Sequence, residues 1–149
     1  VSADHGVSLV RRFWALYQAR RWAEAEALLA PAAQCLWWAT RERFAGAAAI
    51  VHVNAVYPEG WTIHLLELNA LASVDGHGRV HSLVRVDQDG RSFYANSFFA
   101  IDAERIISID EYWSDQQSPP AWRTPAQLPG MSWLAGDART GLDLGLADA

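Results

Sequence analysis

At 149 residues and 16.5 kDa the chain is the size of one domain, long enough to bury a full core. Apolar residues make up 51% and charged residues 19%, which excludes a disordered chain. A net charge of −5 without any basic run excludes an electrostatic nucleic-acid footprint. All twelve basic residues are arginine, and eight residues are tryptophan, so large rings must be packed together or must line something. Cys35 is the only cysteine, which leaves no internal disulfide and no cysteine-based zinc site; its strand-like flanks predict a small buried hydrophobe. No stretch of about 18 apolar residues predicts a membrane span. With no basic-then-apolar leader at the N-terminus, a cytoplasmic location is the default expectation.

In chain order, Leu9, Val10, Phe13, Leu16 and Tyr17 fall at helical spacing and predict a first helix over residues 7–19. A second, rich in Ala and Glu, runs from Trp22 to Leu29 and is stopped by Pro31. Ala33 to Ala39 reads as a short strand, and Gly46 to Tyr57 as a third helix ended by Pro58 and Gly60. The period then changes. Residues 61–74, 79–87, 92–101 and 105–114 read as four strands, with Asp75-Gly76-His77-Gly78 and Asp89-Gly90 as hairpin signals between the first three. Helices followed by an antiparallel meander make an α+β pattern. Val84 and Val86 alternate against His81, Leu83 and Arg85, so both sheet faces carry apolar side chains. One face must meet the helices, and the other needs a partner or a covering tail. Residues 1–114 are thus expected as the folded domain. Residues 115–149, with four prolines, are expected as an extended tail anchored by Trp122 and Trp133 on the domain or on a dimer partner.

The order of elements and the strings Tyr57-Pro58-Glu59-Gly60-Trp61, Phe93-Tyr94-Ala95-Asn96-Ser97-Phe98-Phe99 and Ile109-Asp110-Glu111-Tyr112-Trp113 resemble the nuclear transport factor 2-like superfamily. Within it the chain is similar to the SnoaL-like proteins, over residues 7–123, including Pro119-Pro120-Ala121-Trp122-Arg123. The resemblance implies a cone-shaped half-barrel of cystatin-like architecture, in which three N-terminal helices pack on a curved antiparallel or mixed sheet around a deep pocket. It also implies homodimers, commonly through the outer sheet face. The superfamily hosts isomerases, cyclases, hydrolases and non-catalytic domains, so the reaction must be argued from the residues.

A gapless overlay on the ketosteroid isomerase branch puts Phe13, Trp37 and Asn96 where that chemistry needs a Tyr donor, a carboxylate base and a second acid. Phe13 has no donor and Trp37 cannot take a proton from carbon, so that reaction is not expected. Epoxide hydrolases of this fold use an Asp–Arg–Asp relay; Arg85-Val86-Asp87 reproduces its Arg-x-Asp part, Glu111 falls at the second carboxylate, and Leu36 and Trp38 stand at the water-holding positions. SnoaL-like cyclases rely on a last-strand acid, again Glu111, with His81 and His64 as the available histidines. On a strand, Ile107, Ile109, Glu111 and Trp113 share one face, with Asp110 and Tyr112 on the other. Glu111 is therefore expected as a carboxylate among apolar side chains, either poised for proton transfer or held in an ion pair with Arg85.

The expected catalytic set is Glu111, Arg85, His81 and Asn96. The expected ligand-binding set is Trp14, Tyr17, Trp37, Tyr57, Tyr94, Phe98 and Trp113. No metal and no cofactor are expected, since neither a Cys/His cluster nor a phosphate loop is present. Two readings stand: acid–base chemistry (cyclase, isomerase or hydrolase type) on a small apolar or aromatic molecule, and a non-catalytic ligand-binding or dimerisation module. Whether the cone is open or filled by tryptophan decides between them.

Overall fold

The computed structural model describes residues 2–145; Val1 and the last four residues of the expected tail lie outside the described residues. Helix α1 (Ala3–Gln18) starts earlier than its apolar spacing predicts, because the Ser2 side chain caps it by accepting from the His5 backbone N–H at 3.1 Å. Its buried stripe includes Val10, Phe13, Trp14, Leu16 and Tyr17. Short α2 (Trp22–Ala27) leads directly into β1 (Leu29–Trp37), so Pro31 lies inside a strand rather than beyond a helix. The strand tolerates it at an irregularity, where pairing slips between Leu29 and Gln34 and no amide hydrogen is required. Strand β2 (Glu42–Ala45) and helix α3 (Ala47–Ala55) follow. The meander is β3 (Thr62–Val74), β4 (His77–Gln88), β5 (Arg91–Asp102) and β6 (Arg105–Asp115). Its first two turns are hairpins of two residues each, Asp75-Gly76 and Asp89-Gly90, all four at positive φ; the first is tighter than the expected Asp75-Gly76-His77-Gly78, since His77 and Gly78 already belong to β4.

The six strands form one open mixed sheet in the order β2-β1-β6-β5-β4-β3. All neighbours are antiparallel except β1 and β6, which run parallel and set Trp37 beside Glu111. The sheet's inner face meets the helices: Val80, Ser82, Val84 and Val86 of β4 and Ala95, Ser97, Phe99 and Ile101 of β5 are buried. Phe13 packs on Phe99 with ring centroids 5.5 Å apart. In β6 the expected four-residue face is interrupted. Ile101 pairs with Ile106 and Ala100 with Ser108, leaving Ile107 as an extra residue; this bulge turns Ile106, not Ile107, into the core beside Ile109 and Glu111.

The tail covers part of the outer face, though not by its tryptophans: Trp122 is 62% and Trp133 54% exposed. Its anchors are polar and backbone groups. Asp137 accepts from the Tyr94 hydroxyl at 2.8 Å and pairs with Arg85 at 3.2 Å, and Arg85 also donates to the Arg139 carbonyl at 3.1 Å. The chain then passes the sheet edge, where the Leu142 N–H donates to the Leu65 carbonyl of β3 at 2.7 Å. Position 141 fits closely against the edge: a Cβ there would stand 3.2 Å from the Leu65 nitrogen and 3.3 Å from His64. Arg11 of α1 holds the Asp143 carbonyl, and Leu144 packs against the core. The tail is a strap from outer face to edge to helix.

Candidate functional site

Between the helices and the inner face lies a cavity of about 640 Å³. Helix α1 contributes Trp14 and Tyr17, the segment after α3 contributes Tyr57 and Trp61, and the sheet contributes Trp37, Ile63, Val86, Phe93 and Trp113. Exposed Thr40, Glu42, Arg91, Asp115, Gln116 and Gln117 border the mouth. The cone is open. Tryptophan lines it without filling it.

Three of the rings are held through polar edges. Trp14 Nε1 donates to Ser82 Oγ at 2.9 Å in the core, and Tyr17 stacks edge-on against Trp14 with centroids 5.7 Å apart. Asn54 Nδ2 donates to the Tyr17 hydroxyl at 3.4 Å. Trp37 Nε1 donates to Glu111 Oε1 at 2.9 Å, and the Trp37 ring meets Phe44 at 4.5 Å and Trp113 at 6.3 Å. Trp61 Nε1 and Trp113 Nε1 are buried without a hydrogen-bond partner among the described residues.

Glu111 is 6% exposed and is not among the residues that line the cavity; Trp37, which does line it, is its hydrogen-bond donor. Its Oε2 accepts from Ser97 Oγ at 2.6 Å, and its Oε1 from Cys35 Sγ at 3.5 Å as well as from Trp37. No arginine reaches it. Burial pushes its carboxyl above the ordinary glutamate value, against the donors Ser97, Trp37 and Cys35, which favour the charged form. Burial also pushes the Cys35 thiol and the Tyr17 hydroxyl up, and the nearby Glu111 adds to both. Cys35 is buried, as its flanks predict.

The structure brings Trp14, Tyr17, Trp37, Tyr57 and Trp113 together around the cavity, with Glu111 next to it. It does not bring Arg85, His81, Asn96, Tyr94 or Phe98 there. Strand parity is the reason: the even positions of β4 and the odd positions of β5 face the helices, so these five residues point the opposite way. Arg85 pairs with Asp87 at 3.1 Å and with the strap. His81 Nε2 lies 2.8 Å from Asn96 Oδ1, its Nδ1 lies 3.2 Å from Asn69 Nδ2, and its ring packs on Phe98 at 5.0 Å. The expected Arg85–Glu111 pair does not form. The Asp–Arg–Asp relay fails with it, since Asp87 also faces outward, bound to Ser92 and His64.

The expected set omits the cavity-wall residues Asn54, Trp61, Ile63, Val86 and Phe93 and the Glu111 partners Ser97 and Cys35. Ser97 and Phe93 were detectable by parity, once Ala95 and Phe99 are assigned to the core. Among the described residues no three His, Cys, Asp or Glu side chains come together as metal ligands, and no helix is long and apolar enough to cross a membrane.

Helices packed on one side of an open, curved six-stranded sheet, with a cavity between the layers, define a cone-shaped α+β fold. Solved structures match it. A candidate ketosteroid isomerase from Kribbella flavida superposes with a TM-score of 0.72 at 21% identity, covering 93% of this chain and 96% of that one. A candidate polyketide cyclase from Xanthomonas campestris matches at 0.59 and 17%, covering 76% and 93%. An LEH-like epoxide hydrolase from M. tuberculosis matches at 0.55 and 12%, covering 74% and 84%. The chain has the nuclear transport factor 2-like fold. Because β6 ends at residue 115 of 149, 93% coverage takes in part of the tail as well. No family model and no curated protein matches the sequence.

Proposed function

We propose that the cone takes up a small, mostly apolar or aromatic molecule. The observation that carries this reading is the open cavity of about 640 Å³ walled by four tryptophans, two tyrosines and a phenylalanine, a size and lining that suit small-molecule sites. Val86, at 8% exposure on the cavity wall, provides the test. Calorimetric titration with 2-naphthol is expected to saturate for the wild type and to weaken at least tenfold for Val86→Trp, which fills the space. No saturable binding by the folded wild type would overturn the proposal.

Acid–base chemistry of cyclase, isomerase or hydrolase type is a second reading, favoured by the raised carboxyl of Glu111. It needs the wall at Trp37 to open, since Glu111 is bonded to that ring and is not among the residues that line the cavity. Turnover lost in Glu111→Gln with binding retained supports it. A homodimer would use the outer-face region that the strap leaves open, where Trp38 and Tyr112 are exposed; sedimentation of wild type and Tyr112→Glu tests this.

A further inference from the structure

The cavity wall is more specific than apolarity requires. An aliphatic wall would hold a neutral hydrocarbon equally well, yet Trp14, Trp37, Trp61 and Trp113, half of the chain's tryptophans, gather here with Tyr17 and Tyr57. Indole has the most electron-rich face among the side chains and attracts cations held against it. Trp61 already does this on one side, with the Arg20 guanidinium carbon 3.3 Å from its ring centroid and the charge of Arg20 balanced by Glu59. Two of the three charged side chains at the mouth, Glu42 and Asp115, have the matching sign, and Glu111 lies buried in hydrogen-bond contact with Trp37 of the wall. The single cationic lining residue, Arg91, is exposed at the mouth and donates to the Gln116 carbonyl at 2.8 Å.

We infer that the cone selects organic cations, small tertiary or quaternary ammonium groups carried on an apolar or aromatic body, held by the tryptophan faces and by the Glu111 carboxylate bonded to Trp37. The inference rests on the cavity being a ligand site and adds the charge of what enters. The ammonium head would sit against Trp37 and Trp113, nearest Glu111, with its body towards Trp14 and Val86. No bond is made or broken.

Two probes of equal shape separate the claims. Phenyltrimethylammonium and tert-butylbenzene differ in one atom and one positive charge. Wild type is expected to bind the cation at least tenfold more tightly, and Glu111→Gln to lose most of that preference while holding tert-butylbenzene as before. Equal binding, or preference for tert-butylbenzene, would overturn the cation assignment and leave the cavity reading intact. If neither probe binds the folded wild type, both fail. Should Glu111→Gln not fold, the two wild-type titrations still decide.

Discussion

Arg85 and Glu111 are buried to the same extent, each 6% exposed, and they lie on opposite faces of one sheet. Arg85 is covered by the chain's own tail and is neutralised by Asp87 and Asp137. Glu111 lies against the Trp37 ring and meets only neutral donors: Ser97, Trp37 and Cys35. The outer face therefore buries charge by pairing it, whereas the inner face buries charge by hydrogen bonding beside a space that a ligand can enter. Paired burial leaves no free charge for a ligand to meet. Unpaired burial next to a cavity is the arrangement that responds to what binds.

Breaking the outer face should give the largest effect. Arg85→Ala removes the ion pairs with Asp87 and Asp137 and the bond to the Arg139 carbonyl, and chemical denaturation is expected to show a clearly lowered midpoint. Affinity for 2-naphthol should not change, and a parallel loss would show that the two faces act as one. The next effect sharpens the inner face. Glu111 has its carboxyl raised by burial, so stability drawn from its neutral form is complete below the ordinary value of 4.5 and is lost as pH rises through the raised one. Three other acids have the opposite sign: Glu59, held down by Arg20; Asp137, held down by Arg139; and Asp87, where Ser92 and Arg85 outweigh burial. Their contributions fade only as pH falls below their ordinary values, so above about pH 5 they are constant. Thermal unfolding from pH 5 upward should thus show wild type losing stability relative to Glu111→Gln; parallel curves would contradict the burial assigned to this acid. The smallest effect concerns the strap. Trp133→Ala should change stability by no more than about 0.5 kcal/mol, because the ring is 54% exposed, and a clear fall in Tm would restore the tryptophan as an anchor.

Much of the fold was legible because its signals are local. Helical spacing in α1 and the Asp-Gly turns flanking β4 need no distant partner to be read. Strand β2 was not legible, being four residues long with the polar Glu42 and Arg43 among them. The choice of sheet face was harder for a physical reason. The strap buries Arg85 and part of Tyr94 on the outer side of β4 and β5, and the Asn69, Asn96 and Phe98 side chains half-bury His81, so the outer face also carries the mixed polar and apolar side chains that an inner rim would have. Alternation therefore marks two faces without naming which one is inside. Trp37 and Glu111 share a site because β1 runs parallel to β6, a long-range pairing that spacing along the chain does not encode.

That pairing also sets when the site can exist. Trp37 and Glu111 are 74 residues apart, while the hairpins of β3, β4, β5 and β6 close through two-residue turns between neighbours. Joining β1 to β6 carries the entropy of closing a long loop, and on a ribosome it must wait until β6 has been made. The back of the cavity is thus the seam of the sheet that closes across the longest stretch of chain, so a bound ligand stabilises the joint that depends most on distant parts of the chain.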